Sequence, residues 1–440
     1  MTTIVRAQVA HTPRDPFVHD DAALESFGDG ALAFAEERIL ACGPYPEVRS
    51  QHPEAEILDA RDAILLPGFV DCHVHYPQIG MIGAMGLELL DWLRTRALPE
   101  EARLADARYA MELADRFLRA LAANGTTTAL VFGSHFPSAQ EALFSAAQEL
   151  GLRVASGLVV SDRNLLPELE VTPAAAFEAS QALIKRWHRH GLLRYAITPR
   201  FSVSCSDEML EACYALGQEA DGLLFTSHLN ESRNEIELVA ELFPWARDYL
   251  ETYERFELVH ARSVFAHDVH PSDDELRRLA GASASVAHCP SSNAFLGSGL
   301  FPMRGHLEFG TRFALGTDVG AGTGLNMFKE GLMAYQMQMV RSDGPRLSPA
   351  HVLYLATRAG AAALGIEDEV GDLAPGKSAD FILVRPPNGS VLEAVLERTE
   401  SLEASIGALF TLAREDSIAQ VRVAGRLVWA APQAEPAGGR

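Results

Sequence analysis

Between about residue 67 and residue 360, short runs of wholly apolar residues alternate with longer stretches whose apolar positions recur at helical spacing. The apolar runs fall at 65–75, 126–132, 152–160, 192–199, 222–228, 263–267, 284–288 and 312–318, which predicts eight strands. The intervening stretches carry helix punctuation. Thr172-Pro173 caps and opens a helix over 174–190 that Gly191 ends, Ser206 caps one over 207–218, and Asn124-Gly125 closes a long one that starts near residue 100. Strands that are apolar throughout, each followed by a helix, imply a parallel sheet covered on both faces. Eight such units in sequence predict a (β/α)8 TIM-like barrel.

The two ends of the chain read differently. Residues 1–66 alternate short strands and turns, and residues 361–440 return to strands at 380–384 and 420–429 around a helical stretch at 390–414. The expectation is a small flanking β-sandwich domain built from both termini, with residues 67–360 as the metal-dependent catalytic barrel. The Ala-, Pro- and Gly-rich segment 431–440 reads as a frayed tail.

Composition then narrows the function. With 59 acidic and 37 basic side chains the formal charge is −22, and Lys185, Lys329 and Lys377 are the only lysines. A nucleic-acid binder needs clustered cations to displace counterions, and an anionic membrane surface would repel this chain, so neither partner is expected. The five cysteines have no paired spacing, which fits a reducing compartment. No apolar run is long enough to span a bilayer and the start lacks a signal-peptide pattern, so the expectation is a cytoplasmic protein.

Candidate chemistry sits at the ends of the predicted strands, where a barrel builds its active site. His73 and His75 end the first strand two residues apart, so both rings face the same way. His228 ends the fifth strand, His267 the sixth and Asp318 the eighth. A lone histidine is more often a packed residue, and an Asp after a strand is often a helix cap. Five such side chains all at carboxyl ends point jointly to a metal site. Nitrogen and carboxylate ligands with an open position suit catalytic Zn2+, with Fe2+ as the alternative. Glu231, three residues past His228, is placed to move a proton between water and a substrate nitrogen.

The stretch Pro67-Gly-Phe-Val-Asp-Cys-His-Val-His75, with His228, His267, Gly316-Thr-Asp318 and the C-terminal Gly371-Asp-Leu-Ala-Pro-Gly-Lys-Ser-Ala-Asp380, resembles the amidohydrolase superfamily. His75-Tyr-Pro-Gln78, Pro199-Arg-Phe201, His228-Leu-Asn-Glu231 and Cys289-Pro-Ser-Ser-Asn293 are similar to the guanine deaminases within it. The resemblance implies zinc-dependent hydrolysis of guanine to xanthine and ammonia, one zinc per chain, and a homodimer. It assigns His73, His75, His228 and Asp318 to the metal. His267 moves from ligand to a partner of the attacking water or the substrate, Glu231 becomes the proton shuttle, and Asp318 takes the remaining proton. Gln78 and Arg200 would hold the purine edge, with Phe201 lining the pocket and His228, Glu231 and His267 also touching the base. Cys72 and Asp268 depart from the family pattern, and the segment 81–97, glycine-rich at its start, is the one expected to order on binding.

Three rivals stand beside this reading. Another deaminase or hydrolase of the superfamily, acting on a different base or heterocycle, would share the chemistry, and Gln78 with Arg200 argues for an oxo-purine. A binuclear hydrolase would need a carboxylated lysine at the end of the fourth strand, where Arg200 stands instead. A barrel without catalysis typically loses ligands, and here all are present.

Overall fold

The computed structural model describes residues 1–432; the expected tail lies almost wholly outside them. Four strands precede the barrel: β1 (Thr2–His11), β2 (Glu25–Ala35), β3 (Arg38–Pro44) and β4 (Glu56–Pro67). Nine follow: β5 (Phe69–His75), β6 (Thr126–Phe132), β7 (Arg153–Gly157), β8 (Val159–Val160), β9 (Leu193–Pro199), β10 (Leu224–Leu229), β11 (Ser263–His267), β12 (Ser285–His288) and β13 (Arg312–Leu315). The C-terminal part adds β14 (Phe381–Val384), β15 (Ile418–Val423) and β16 (Arg426–Ala430).

The strands β5, β6, β7 and β9 to β13 form a parallel sheet in chain order, with the short β8 pairing with β9 beside that path, each buried almost throughout, as the continuous apolar runs require. The sheet curls until its ends meet: His75 N–H donates to the Val319 carbonyl at 2.9 Å and Asp318 N–H to the His73 carbonyl at 2.8 Å. The terminal strands form one seven-stranded sheet in the order β16-β15-β14-β4-β1-β2-β3. Strand β4 ties the two ends of the chain together, pairing parallel with β1 and antiparallel with β14.

The structure refines three predicted strands. The run 65–75 is two strands that meet at Gly68, where a Cβ would sit 2.1 Å from Thr127 Oγ1. The run 152–160 is interrupted at Leu158, giving β7 and the short β8. The last strand stops at Leu315, so Asp318 lies beyond it, in left-handed backbone with φ 48°. The long helix is also shorter than expected. It runs Ala107–Ala123, capped by the Asp106 carboxylate, which accepts from the Arg108 and Tyr109 N–H groups. Thr172 and Ser206 cap their helices as predicted, and the C-terminal helical stretch is two helices, Val391–Leu396 and Leu402–Leu412. The helix Arg358–Ala363 still packs on the barrel, with Gly360 closed against Val70 and Cys72. That contact explains Cys72: it is fully buried in the wall, behind the histidines rather than among them.

Gly157 gives a direct test of this packing. A Cβ there would lie 1.7 Å from the Ala196 carbonyl oxygen, which is backbone and cannot rotate away. Gly157→Ala is expected to destabilise the fold by about 3 kcal/mol or more, read as a fall in Tm. An unchanged Tm would contradict the strand contact between β7 and β9.

Candidate active site

Four of the five strand-end residues converge. The donor atoms of His73, His75, His228 and Asp318 lie within 4.8 Å of one another. His73 Nε2 and His75 Nε2 are 3.0 Å apart, His228 Nε2 is 3.3 Å from His75 Nε2, and Asp318 Oδ1 is 3.3 and 3.2 Å from the first two. Ligands about 2.1 Å from one tetrahedral ion stand about 3.4 Å apart, so these donors fit a single zinc-sized ion. His228 Nδ1–H donates to the Arg200 carbonyl at 2.7 Å, which leaves Nε2 as the donor to a metal. Burial lowers His75 to about 3 and, with the neighbouring rings, holds His228 well below its ordinary value. These rings are therefore neutral, the form a metal binds. Burial works against the Asp318 charge, yet hydrogen bonding with His73 and His75 and the nearby His267 carry its carboxyl well below the usual range. The Phe132 ring packs against His73, His75 and His228 at 5.4, 4.6 and 4.8 Å and fixes their orientation.

His267 stands beside this cluster. Its Nδ1–H donates to Asn293 Oδ1 at 2.9 Å, so Nε2 faces inward, 3.4 Å from Glu231 Oε2 and 3.8 Å from Asp318 Oδ2. Glu231 is buried, and its Oε1 accepts from the Ser298 hydroxyl at 3.1 Å. Burial and the Asp318 charge push Glu231 up to about 8, against the Ser298 bond. A carboxyl held near neutrality can both accept and release a proton. His267, Asp268, Asn230 and Asp318 all have left-handed backbone, with φ 76°, 44°, 50° and 48°. Such concentration of strain at one end of the barrel is typical of a site whose geometry outweighs local comfort. Asp268 is a support, accepting from Asn230 Nδ2 at 3.0 Å and pairing with His306 at 2.9 Å. His288 lies outside the cluster, stacked on Phe301 with ring centroids 4.3 Å apart.

A cavity opens on the cluster. Gln78, Arg200, His228, Glu231, His267 and Asp318 supply polar walls, and Phe201, Trp92, Leu89, Leu93 and Leu296 the apolar ones. Within the segment 81–97, Trp92 in the turn Leu89–Trp92 is buried and lines the cavity. The residue that sequence reasoning missed altogether is Glu101. Its carboxylate binds Arg200 Nη1 at 2.8 and 2.7 Å and accepts from Gln78 Nε2 at 2.7 Å. Nothing marks it in the chain, because it lies in a helical turn, Leu98–Ala102, that reads as an ordinary charged surface. Asn293 stands out in the chain only as a member of the Cys289–Asn293 motif.

The amidohydrolase family model matches residues 64–428, and a probable guanine deaminase of Deinococcus radiodurans is 54% identical over 433 residues, 97% of this chain and 98% of that one. The chain belongs to the guanine deaminase group of the amidohydrolase family. The guanine deaminase of Escherichia coli is 38% identical over 409 residues, 93% of each chain. The solved structure of the E. coli enzyme superposes with a TM-score of 0.94 at 37% identity, covering 97% of this chain and 99% of that one. The Clostridium acetobutylicum guanine deaminase, solved with guanine in its active site, gives a TM-score of 0.89 at 26% identity, covering 98% and 100%. As an amidohydrolase this chain has the metal-dependent type of site, and His73, His75, His228 and Asp318 form its candidate.

The support behind His267 yields a pH test. Asn293 lies in the helix Pro290–Phe295, whose Ser291 N–H donates to buried Glu330 at 3.1 Å. Burial raises Glu330 from 4.5 to about 8. The folded protein thus keeps this proton up to about pH 8 while the unfolded chain releases it above about 4.5, so stability falls as pH rises through that window. Glu330→Gln has no proton to lose. Its Tm relative to the parent is expected to rise by several degrees between pH 5 and pH 8, and a constant difference would refute the assignment.

Proposed function

We infer that this protein is a guanine deaminase that hydrolyses guanine to xanthine and ammonia. One observation carries the reading: at one end of the barrel, a three-histidine, one-aspartate donor cluster and a buried glutamate line one pocket with Gln78 and Arg200. Residues 67–360 are the catalytic unit in this reading, and 1–66 with 361–440 flank it. The metal is zinc, one per chain, held by His73, His75, His228 and Asp318; the donor set and spacing suit it. When bound, such an ion lowers the pKa of water towards neutrality and so makes a nucleophile available for C2 of the base.

The protein side chains do the rest. Glu231 accepts the proton of the attacking water and returns it to the ring nitrogen beside C2. His267, aimed by Asn293, holds the water or the developing oxygen. Asp318 takes the remaining hydroxyl proton with its Oδ2 edge and passes it to the departing amino group, which leaves C2 as ammonia while the carbonyl forms. Gln78 and Arg200 bind the oxo edge of guanine, while Phe201 and Trp92 enclose its faces. An arginine fork aimed at a carbonyl rejects a base that presents an amino group there, because a buried donor would be left unpaired. Water exclusion by the Leu89, Trp92 and Leu296 side chains strengthens each of these contacts. A homodimer belongs to the same reading on the family resemblance, and a cytoplasmic location on the unpaired cysteine spacing.

Ammonia release from guanine, with cytosine and adenine beside it, tests the activity. Guanine is expected to be turned over in marked preference. Turnover of another base with guanine inert would keep the chemistry and overturn the pocket. Glu231→Gln is expected to lower kcat by about 10³-fold or more with one zinc per chain retained by metal analysis; near-normal turnover would remove Glu231 from its role. Chelation should abolish activity, with zinc restoring it and raising Tm; activity that survives complete zinc loss would refute the metal assignment.

A further inference from the structure

Recognition of the base depends on the state of Arg200 and Gln78, and both are gripped from behind by one residue. The Glu101 and Arg200 side chains are 4% and 3% exposed. Both Glu101 oxygens take Arg200 Nη1, and Oε1 also takes Gln78 Nε2. At its other end Gln78 accepts from the Gly320 N–H at 3.0 Å. The Gln78 amide is therefore oriented from both sides, with one Nε2 hydrogen left over. Arg200 has its Nη1 edge committed, and no side-chain hydrogen bond among the described residues uses its Nε or Nη2, so these are free for the cavity that Arg200 lines.

The charge balance follows from the same grip. His135 Nδ1 stands 3.5 Å from Glu101 Oε2, and burial with the Arg200 charge keeps that ring neutral. Glu100, the next carboxylate along, faces outward to Tyr109 and Arg103. The recognition wall thus holds one buried positive and one buried negative group, with no net charge. A buried unpaired charge is costly, and any ligand that brings one disturbs a neutral pair.

We propose that Glu101 is the positioning residue that sets substrate class: it aims Arg200 and Gln78 at an oxo edge, and it cancels the arginine's charge so that the pocket takes a neutral heterocycle over an anionic one. The proposal rests on the reading of this pocket as a purine site. Without the Glu101 charge, Arg200 becomes an uncompensated buried cation and turns into a receptor for anions.

Glu101→Gln separates charge from shape, since the amide oxygen can still accept from Arg200 and Gln78. The test is equilibrium binding of hypoxanthine, neutral at pH 7, and urate, an anion at pH 7, to the zinc-loaded proteins. The parent is expected to prefer hypoxanthine. In Glu101→Gln the Kd ratio should move towards urate by about tenfold or more, and the KM for guanine should rise further than kcat falls. A ratio that stays within about twofold, including no urate binding by either protein, overturns the proposal. Glu101→Asp keeps the charge and withdraws it by one methylene, and covers the case in which the first variant does not fold. It should raise KM with the ratio unchanged, and a shift towards urate in this variant would equally overturn the charge argument. Failure of the guanine reading would look different: the parent itself would release no ammonia from guanine and bind neither base.

Discussion

Closing the cylinder is the constraint on which everything else depends. A parallel sheet of these strands has two edges, and its first and last strands must find each other with no helix between them. The fully buried Asp71 carboxylate performs that join. It accepts from the Thr317 N–H at 3.0 Å, the Thr317 hydroxyl at 2.5 Å and the His73 N–H at 3.2 Å, alongside the two backbone bonds of the seam. Burial raises Asp71 to about 6, and those three donors oppose the rise. Because Asp71 is two residues before His73 and Thr317 one before Asp318, sealing the barrel and assembling the donor cluster are one event. A sheet left open at this seam would separate His73 and His75 from Asp318 and have no site.

The cluster is then a problem in electrostatics. Three imidazoles and a carboxylate gathered within 4.8 Å and largely buried are tolerable only with the rings neutral or a cation among them. Burial supplies the first condition for His75 and His228, and a cation is the way to satisfy all four donors at once. The same burial that suppresses imidazolium at His75 and His228 raises Glu231 to about 8, so one physical cause sets the protonation of both the candidate ligands and the proposed proton carrier. The outer supports, Asn293 behind His267 and Ser298 behind Glu231, decide which nitrogen and which oxygen face inward.

Much of this was legible in the chain because barrel chemistry sits at strand ends and strand ends are marked by apolar runs. His73, His75, His228, His267 and Asp318 are legible in that way from the chain alone. What could not be read shares a different property. Glu101 reaches Arg200 across 99 residues of sequence and Gln78 across 23, from a turn whose local pattern is that of a solvated helix. Trp92 sits in a π-helical and short-turn region, where periodicity gives no inward face to predict. The break at Gly68 was hidden because both halves of the run are apolar, one buried in the flanking sheet and the other in the barrel. Local patterning fixes which side chains stand at the rim, and long-range packing alone fixes which of them touch.

That packing joins two tasks which look separate. Arg200 uses its carbonyl to orient His228 and its guanidinium to face the cavity, with Glu101 behind it. The Ser227 hydroxyl donates to the Pro199 carbonyl at 2.9 Å, and the Tyr253 hydroxyl donates to the His228 carbonyl at 3.0 Å, so strands β9 and β10 are locked at this level. A shift of the backbone at Arg200 would move a metal ligand and a recognition group together. In the proposed reading one peptide unit therefore sets both the recognition edge and one member of the donor cluster. The cost is that the two cannot be tuned apart by changes at residues 199–201. Adjustment of specificity has to come from behind, through Glu101 and Gln78, or from the Leu89–Trp92 turn across the cavity, where no metal ligand is attached.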